Sequence, residues 1–239
     1  MTLTGKTAVV TGGSRGIGRA IVRRLARDGA RVVFSYRQDK AAADELVREV
    51  GDAIAVQADQ EDPASLDALF EPVTEGLDIL VNNAAIIAAA PISEITPELF
   101  DRVMAVNAKF PLMAMRRAEP LLGNGGRIIN ISTLNTTAQG PGIALYCASK
   151  GALEQFTKVA AHEFGPRGIT VNAVSPGATD TELLRAANPA EELERAAAVT
   201  PLRRLGEPAD IADVVAFLAG PDARWITGQN IPVTGGLQA

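Results

Sequence analysis

The sequence holds one cysteine, Cys147, and one histidine, His162. A single cysteine excludes an intrachain disulfide and argues against a thiolate metal site. A single histidine argues against a His-cluster metal centre and against a Ser-His-Asp triad. No metal is therefore expected. His162 falls inside the helical pattern Ala160-Ala161-His162-Glu163-Phe164 and reads as structural. Cys147 reads as a small packing residue. Basic blocks are also missing and the net charge is -5, so nucleic acid is not an expected partner. The opening Met1-Thr2-Leu3-Thr4-Gly5-Lys6 lacks the apolar stretch of a signal peptide. No apolar run reaches membrane-spanning length. The expectation is a cytoplasmic protein without membrane contact.

What is present suits one sizeable domain. The chain has 239 residues, 47% of them hydrophobic, with no linker, repeat or low-complexity segment. Residues 1–239 are read as a single domain.

Apolar, β-branched runs alternate with helical patterns. Thr7-Ala8-Val9-Val10-Thr11 predicts a buried strand, and Gly12-Gly13-Ser14-Arg15-Gly16-Ile17-Gly18 follows at once. A helix is then predicted over Arg19 to Asp28. Strands are expected at Arg31 to Tyr36, Ala53 to Gln57, Leu77 to Val81, Gly126 to Ile131, Ile169 to Val174 and Asn230 to Val233. Helices are expected at Lys40 to Val50, Pro63 to about Glu75, and from about Thr96, where Pro111 should kink or interrupt the run. Further helices are expected at Tyr146 to Phe164 and Pro208 to Ala219. Residues 181–205 carry no strand signal and read as a substrate lid. Strands separated by helices imply an α/β fold, a doubly wound parallel sheet of about seven strands with helices on both faces.

In such a sheet, ligands bind beyond the carboxyl ends of the strands. Thr11–Gly18, Asp59, Asn82–Ala85, Ser132–Thr133 and Ser175–Gly177 all directly follow predicted strands, so they converge on one edge. A strand, a glycine turn and a helix form the context of a phosphate-binding loop. Tyr146 and Lys150 lie at i and i+4, on one helix face. A phenol of ordinary pKa near 10 is a weak acid or base at neutral pH. A lysine ammonium a few ångströms away favours the phenolate and should lower that value.

With Thr11-Gly12-x-x-x-Gly16-x-Gly18, Asn82-Asn83-Ala84-Ala85, a helical Asn107, Tyr146-x-x-x-Lys150, Pro176-Gly177 and Thr181 in this order, the chain resembles the short-chain dehydrogenases/reductases along essentially its whole length. The 3-oxoacyl-carrier-protein reductases are among the similar members. The resemblance implies a Rossmann-type fold and roles for single residues. Tyr146 is the implied proton donor in carbonyl reduction and the base in alcohol oxidation. Lys150 holds the nicotinamide ribose and lowers the tyrosine pKa, while Asn107 positions a water linked to Lys150. Asp59, with Gln60 beside it, meets the adenine. Asn83, Ala84 and Ala85 border the cofactor ribose. Pro176, Gly177, Thr179 and Thr181 reach the nicotinamide or the phosphates, and Gly12, Ser14, Gly16, Ile17 and Gly18 receive the pyrophosphate. The family's oxyanion-binding serine lies 13 residues before the tyrosine, where this chain has Thr133. Thr133 is favoured for that contact. Ser132 stays as the alternative, through a deletion in the 134–145 loop.

The end of the second predicted strand bears on the cofactor. An acidic residue there would bind the ribose 2′-hydroxyl of NAD. Tyr36 and Arg37 stand there instead, and Arg15 lies in the glycine loop. Two arginines without a carboxylate suit a 2′-phosphate, so NADP(H) is expected. A solvated strand-end charge is the other reading of Arg37. Ile87, Ala88, Ala90, Leu134 and Leu183 suggest an apolar substrate wall. The substrate is a small carbonyl or alcohol, either an acyl chain on a carrier protein met by Arg167, or a sugar, polyol or secondary-metabolite ketone. A low-turnover NADP-binding sensor or scaffold is the reading from another class. The resemblance also implies a homotetramer or homodimer, with Leu112, Met113, Leu153 and Phe156 as candidate contacts.

Overall fold

The computed structural model describes residues 2–237. Strand and helix alternate as β1 (Thr7–Val10), α1 (Gly16–Arg27), β2 (Arg31–Tyr36), α2 (Lys40–Val50), β3 (Ala53–Gln57), α3 (Ser65–Phe70) and β4 (Leu77–Asn82). Then come α4 (Pro97–Met104), α5 (Phe110–Ala118), β5 (Leu122–Ile131), α6 (Ala144–Phe164) and β6 (Thr170–Pro176). The chain continues through α7 (Glu182–Ala187), α8 (Ala190–Val199), α9 (Pro208–Ala219) and β7 (Asn230–Val233). All strands pair in parallel, in the order β3-β2-β1-β4-β5-β6-β7. The direction of winding reverses between β1 and β4, which opens a crevice at their carboxyl ends.

Side-chain alternation on each strand feeds two cores. Ala8 and Val10 of β1, Ile79 and Val81 of β4, and Ile129 and Ile131 of β5 pack under α1, α2 and α9. Val9, Leu80 and Ile128 point the other way, under α3, α5 and α6. Near-continuous apolar strands are what a sheet covered on both faces requires.

Several boundaries differ from expectation, and most have a local cause. The helix expected from Pro63 to about Glu75 is confined to Ser65–Phe70. Pro72 has no N–H with which to extend it. Thr96 caps α4, its hydroxyl accepting from the Leu99 N–H, and Pro97 fills the first turn. Pro111 cannot donate to the carbonyl of Asn107 four residues earlier. The interruption takes the form of a π-helical segment, Ala105–Lys109, in which the Phe110 N–H reaches back to the Ala105 carbonyl. α1 starts at Gly16, inside the glycine loop and earlier than expected. β5 starts at Leu122, four residues before the expected Gly126. Residues 181–205 contain two helices, α7 and α8. Among the described residues no helix is long and apolar enough to cross a membrane. No group of three or more His, Cys, Asp or Glu residues among them could hold a metal ion.

Phe34 anchors the half of the sheet that carries the glycine loop. It is fully buried, and a Cβ on Gly13 would lie 2.6 Å from its own Cβ. Phe34→Ala should cost about 3–5 kcal/mol of stability, as for other buried aromatic truncations. Urea unfolding of the variant measures this. A loss below about 1 kcal/mol would mean that the loop collapses onto the vacated space.

Candidate active site

The loop after β1 is built by close approach. Gly12 and Gly16 adopt φ of +66° and +53°, in the left-handed region. A Cβ on Gly18 would sit 2.0 Å from the Gly12 carbonyl oxygen and 2.6 Å from Asn83 Nδ2, so no larger residue fits. Arg15, at the N-cap of α1, makes no side-chain cap, and no acidic residue lies in the first turn. The α1 N-terminus thus presents its positive end to the cleft without an internal anion.

Polar bonds cross the switch point. The Thr11 hydroxyl accepts from the N–H groups of Asn83 (2.9 Å) and Ala84 (3.0 Å). Asn83 Nδ2 donates to the carbonyls of Thr11 (2.9 Å) and Gly12 (3.1 Å). Ser35 Oγ accepts from the Gly12 N–H (2.9 Å) and from Gln60 Nε2 (3.2 Å). Sequence reasoning missed Ser35. Its signal was a lone small hydroxyl in an otherwise apolar run, Arg31 to Tyr36.

One cleft of about 670 Å³ runs from this loop to α6 and under α7 and α8. Every residue expected to bind the cofactor or take part in the reaction lines it except Asn107. Asn107 is fully buried in the π-helical segment. Its Oδ1 accepts from the Ile86 N–H (2.9 Å), and its Nδ2 donates to the Ile86 carbonyl (2.8 Å) and Ser149 Oγ (3.1 Å). The Asn107 side chain therefore clamps the loop after β4 to α6 and does not bond to Lys150. On the far side Thr181 caps α7, accepting from the Leu184 N–H. Its methyl lies 3.4 Å from where a Cβ on Gly16 would be. Thr179 bridges to Gly206.

At the α6 end, Tyr146 and Lys150 are both buried. Lys150 Nζ donates to the Ile131 carbonyl (2.7 Å). Burial lowers its pKa to about 8, while the charge of Glu154 pulls in the opposite direction. The Tyr146 phenol is pushed up, chiefly by burial, and a hydrogen bond with the Thr133 hydroxyl draws it down. The expected lowering of the phenol by Lys150 is thus not what this arrangement produces. The ammonium is engaged by a carbonyl, and desolvation of the phenolate dominates.

Thr133 and Ser132 diverge as strand alternation demands. Thr133 faces Tyr146, whereas Ser132 Oγ donates to Glu154 Oε1 (2.6 Å). Cys147 Sγ reaches the Asn135 carbonyl (3.0 Å), a packing role.

At the opposite end Arg15 and Arg37 line the same cleft. The expectation of no carboxylate there needs correction. Glu61, from the loop after β3, lies 3.6 Å from Arg37 and 2.9 Å from Arg102. The apolar wall includes Ile87, Leu134 and Leu183, with Ala89 in place of Ala88 and Ala90. Ile143, Leu193, Ala196 and Leu237 were missed, because nothing in their local pattern separates pocket wall from core. Arg167 is not a free surface cation. It bonds to the Glu119 carboxylate (2.7 Å) and to the carbonyls of Glu119 and Leu122, which ties the end of α6 to the turn before β5.

The family model described as Enoyl-(Acyl carrier protein) reductase matches residues 12–238. An uncharacterized oxidoreductase of Methylorubrum extorquens is 46% identical over 99% of each chain. A versicolorin reductase of Emericella nidulans is 40% identical, covering 98% of this chain and 96% of its own. Among solved structures, an angucycline C-6 ketoreductase with bound NADP superposes with a TM-score of 0.94 at 44% identity, over 98% of this chain and 96% of that one. A short-chain dehydrogenase/reductase from Serratia marcescens superposes at 0.95 with 39% identity, over the full length of both. Likeness of this extent, over nearly the whole chain, makes the chain a member of the short-chain dehydrogenase/reductase family.

Proposed function

We propose that the protein is an NADP(H)-dependent oxidoreductase that reduces a ketone to a secondary alcohol, or runs the reverse. The observation that carries this reading is the meeting of Thr133, Tyr146 and Lys150 in one cleft with the glycine loop. The nicotinamide, when bound, supplies or accepts the hydride.

The chain fits that cofactor on its own residues. The loop admits only backbone at Gly18, and the uncapped α1 N-terminus attracts a pyrophosphate. Asp59 and Gln60 line the adenine end, and Lys150 and Thr181 the nicotinamide end. Thr133 would hold the substrate oxygen by a hydrogen bond, and Tyr146 would give it a proton. A phenol held in its protonated form by burial suits a proton donor. Lys150 would stabilise the phenolate left behind. Pro111 removes the usual i+4 donor to the Asn107 carbonyl, and Asn107 would position a water that links Lys150 to solvent.

Arg15 and Arg37 support NADP(H) over NAD(H), and the solved ketoreductase relative is described with NADP. Glu61 competes for Arg37, but an exposed ion pair is weak and readily exchanged for a phosphate. For the substrate, the wall of Ile87, Ala89, Leu134, Leu183 and Leu193 supports an uncharged, largely apolar ketone, and relatives are named as reductases of versicolorin and of angucyclines. An acyl chain on a carrier protein is less favoured, since Arg167 is engaged internally. Residues 181–205 would act as the lid, because α7 and α8 roof the cleft. Self-association as a dimer or tetramer is supported by exposed Phe100, Val159, Phe217 and Trp225. Leu153 serves the core instead.

Tyr146→Phe should abolish NADPH consumption with a panel of bulky ketones while NADPH still binds, since only the proton donor is lost. Undiminished turnover would sink the mechanism, and wild-type binding without any turnover would favour the sensor reading. Reduction needs a protonated phenol and a charged lysine, so kcat should be flat at lower pH. It should fall as pH rises through about 8, where Lys150 loses its proton. A pH–rate profile checks this, and a rate that climbs with pH in the reductive direction would contradict it. Arg37→Ala should weaken NADPH binding by roughly tenfold, the loss of about one charge-assisted contact, and leave NADH unchanged. Equal losses for both cofactors, measured by titration, would mean that Arg37 does not touch the 2′-phosphate.

A further inference from the structure

α6 carries a third polar residue on the stripe that bears Tyr146 and Lys150. Glu154 follows Lys150 by four residues, so it lies one turn further along the same face. Glu154 Oε1 accepts two hydroxyl hydrogen bonds, from Ser132 at 2.6 Å and from Thr136 at 2.8 Å. Bonds from neutral hydroxyls to a carboxylate are short and strong for their class.

These two partners flank the residue that faces Tyr146. Ser132 directly follows β5, and its N–H is fixed to the Val174 carbonyl (2.7 Å). Thr136 closes the short 3-10 turn Leu134–Thr136. Between them, Thr133 is extended, with φ -162° and ψ 151°, and its hydroxyl caps that turn by accepting from the Asn135 N–H. Thr136 Oγ1 also lies 3.1 Å from the Thr133 carbonyl, but its single proton goes to the nearer, charged Glu154. One carboxylate oxygen thus grips both ends of a five-residue segment whose second residue meets the phenol.

We propose that Glu154 is a positioning residue: by holding the hydroxyls of Ser132 and Thr136, its carboxylate fixes the turn that aims the Thr133 hydroxyl at Tyr146. This rests on the oxidoreductase reading of the same site. The grip also turns the Ser132 hydroxyl away from the reacting end, so that two adjacent hydroxyls do not compete for one substrate oxygen. A second consequence is electrostatic. Among the described residues Glu154 is the charged group that acts on Lys150, and it opposes the loss of the ammonium proton that burial favours. Of the other ionisable groups beside this stretch of α6, Cys147 acts on Tyr146 and not on Lys150, and the Leu134–Thr136 turn carries none.

The two effects separate by substitution. Glu154→Gln keeps an oxygen that accepts both hydroxyls but removes the charge. Glu154→Ala removes both. Ser132→Ala combined with Thr136→Val keeps the charge and removes the grip. The protein carries two tyrosines, Tyr36 and Tyr146, so 3-fluorotyrosine labelling yields two 19F resonances, assigned by Tyr146→Phe. The Tyr146 resonance should move in Glu154→Ala and in the double variant, and stay in place in Glu154→Gln. With an accepted ketone, kcat should fall about tenfold or more in the first two. That is a share of the 10²–10³ that a positioned oxyanion donor typically contributes. NADPH affinity, read by its fluorescence, should hold within about twofold, well under the 1.4 kcal/mol of a tenfold change. In Glu154→Gln the alkaline limb of the reductive pH profile should shift to lower pH, and in the double variant it should not. An unmoved Tyr146 resonance in both Glu154→Ala and the double variant overturns the proposal. If Glu154→Ala fails to fold, the double variant alone decides. The resonance needs no substrate, so a wild-type protein that turns over no ketone refutes the functional reading without touching this one.

Discussion

The crossing of bonds between Thr11 and Asn83 is the constraint on which the rest of the site depends. β1 and β4 are neighbours in the sheet, but the chain winds away from them in opposite directions. Their carboxyl ends therefore diverge into helices on different faces, and beyond the backbone bond from the Thr11 N–H to the Val81 carbonyl (3.0 Å) the ladder does not hold the two exits together. The Thr11 hydroxyl and the Asn83 amide do so, with four hydrogen bonds between 2.9 and 3.1 Å. The price is steric: the Gly12 carbonyl and Asn83 Nδ2 occupy the place of a Gly18 side chain. A cleft with a backbone floor results, and a backbone floor accepts phosphate without side-chain competition.

The opposite end of the cleft is governed by desolvation. Tyr146 and Lys150 are packed so tightly that burial, more than their mutual attraction, sets their protonation. Burial favours the neutral form of each, which for the phenol is the proton-donating form. The counterweights are local and polar: the Thr133 hydroxyl at Tyr146, and the Ile131 carbonyl and Glu154 charge at Lys150. A site of this kind is sensitive to small displacements of a few oxygens, and the short bonds from Ser132 and Thr136 to Glu154 limit them.

The adenosine end follows different rules. Arg15, Arg37, Glu61 and Arg102 lie near the surface, where water and salt weaken each interaction. On the proposed reading, specificity there would rest on the balance of charge around one phosphate. At the reacting end it rests on fixed geometry inside an apolar wall.

The order of strands and helices was legible in the sequence because the strands form short, mainly apolar runs and each turn has its own chemistry. The convergence of Thr11–Gly18, Asp59, Asn82–Ala85, Ser132–Thr133 and Ser175–Gly177 followed from the rule that parallel strands share one carboxyl edge, whereas Tyr146 and Lys150 came from their helical spacing and the family resemblance. Local chemistry also foretold the break at Pro111, since a residue without an N–H cannot continue a helix. Tertiary structure alone decided what depends on distant partners. Alternation already sets Ser132 and Thr133 on opposite faces, but which acceptor Ser132 finds, Glu154 22 residues away in sequence, needed the folded chain. The arginine pair at the mouth of the cleft acquired a carboxylate because the loop after β3 folds Glu61 beside Arg37. The phenol was pushed up and not down because its burial depends on every element packed around α6. Sequence spacing carries periodicity and backbone restriction. It does not carry the desolvation and the long-range polar contacts that set where a hydroxyl points and which proton it holds.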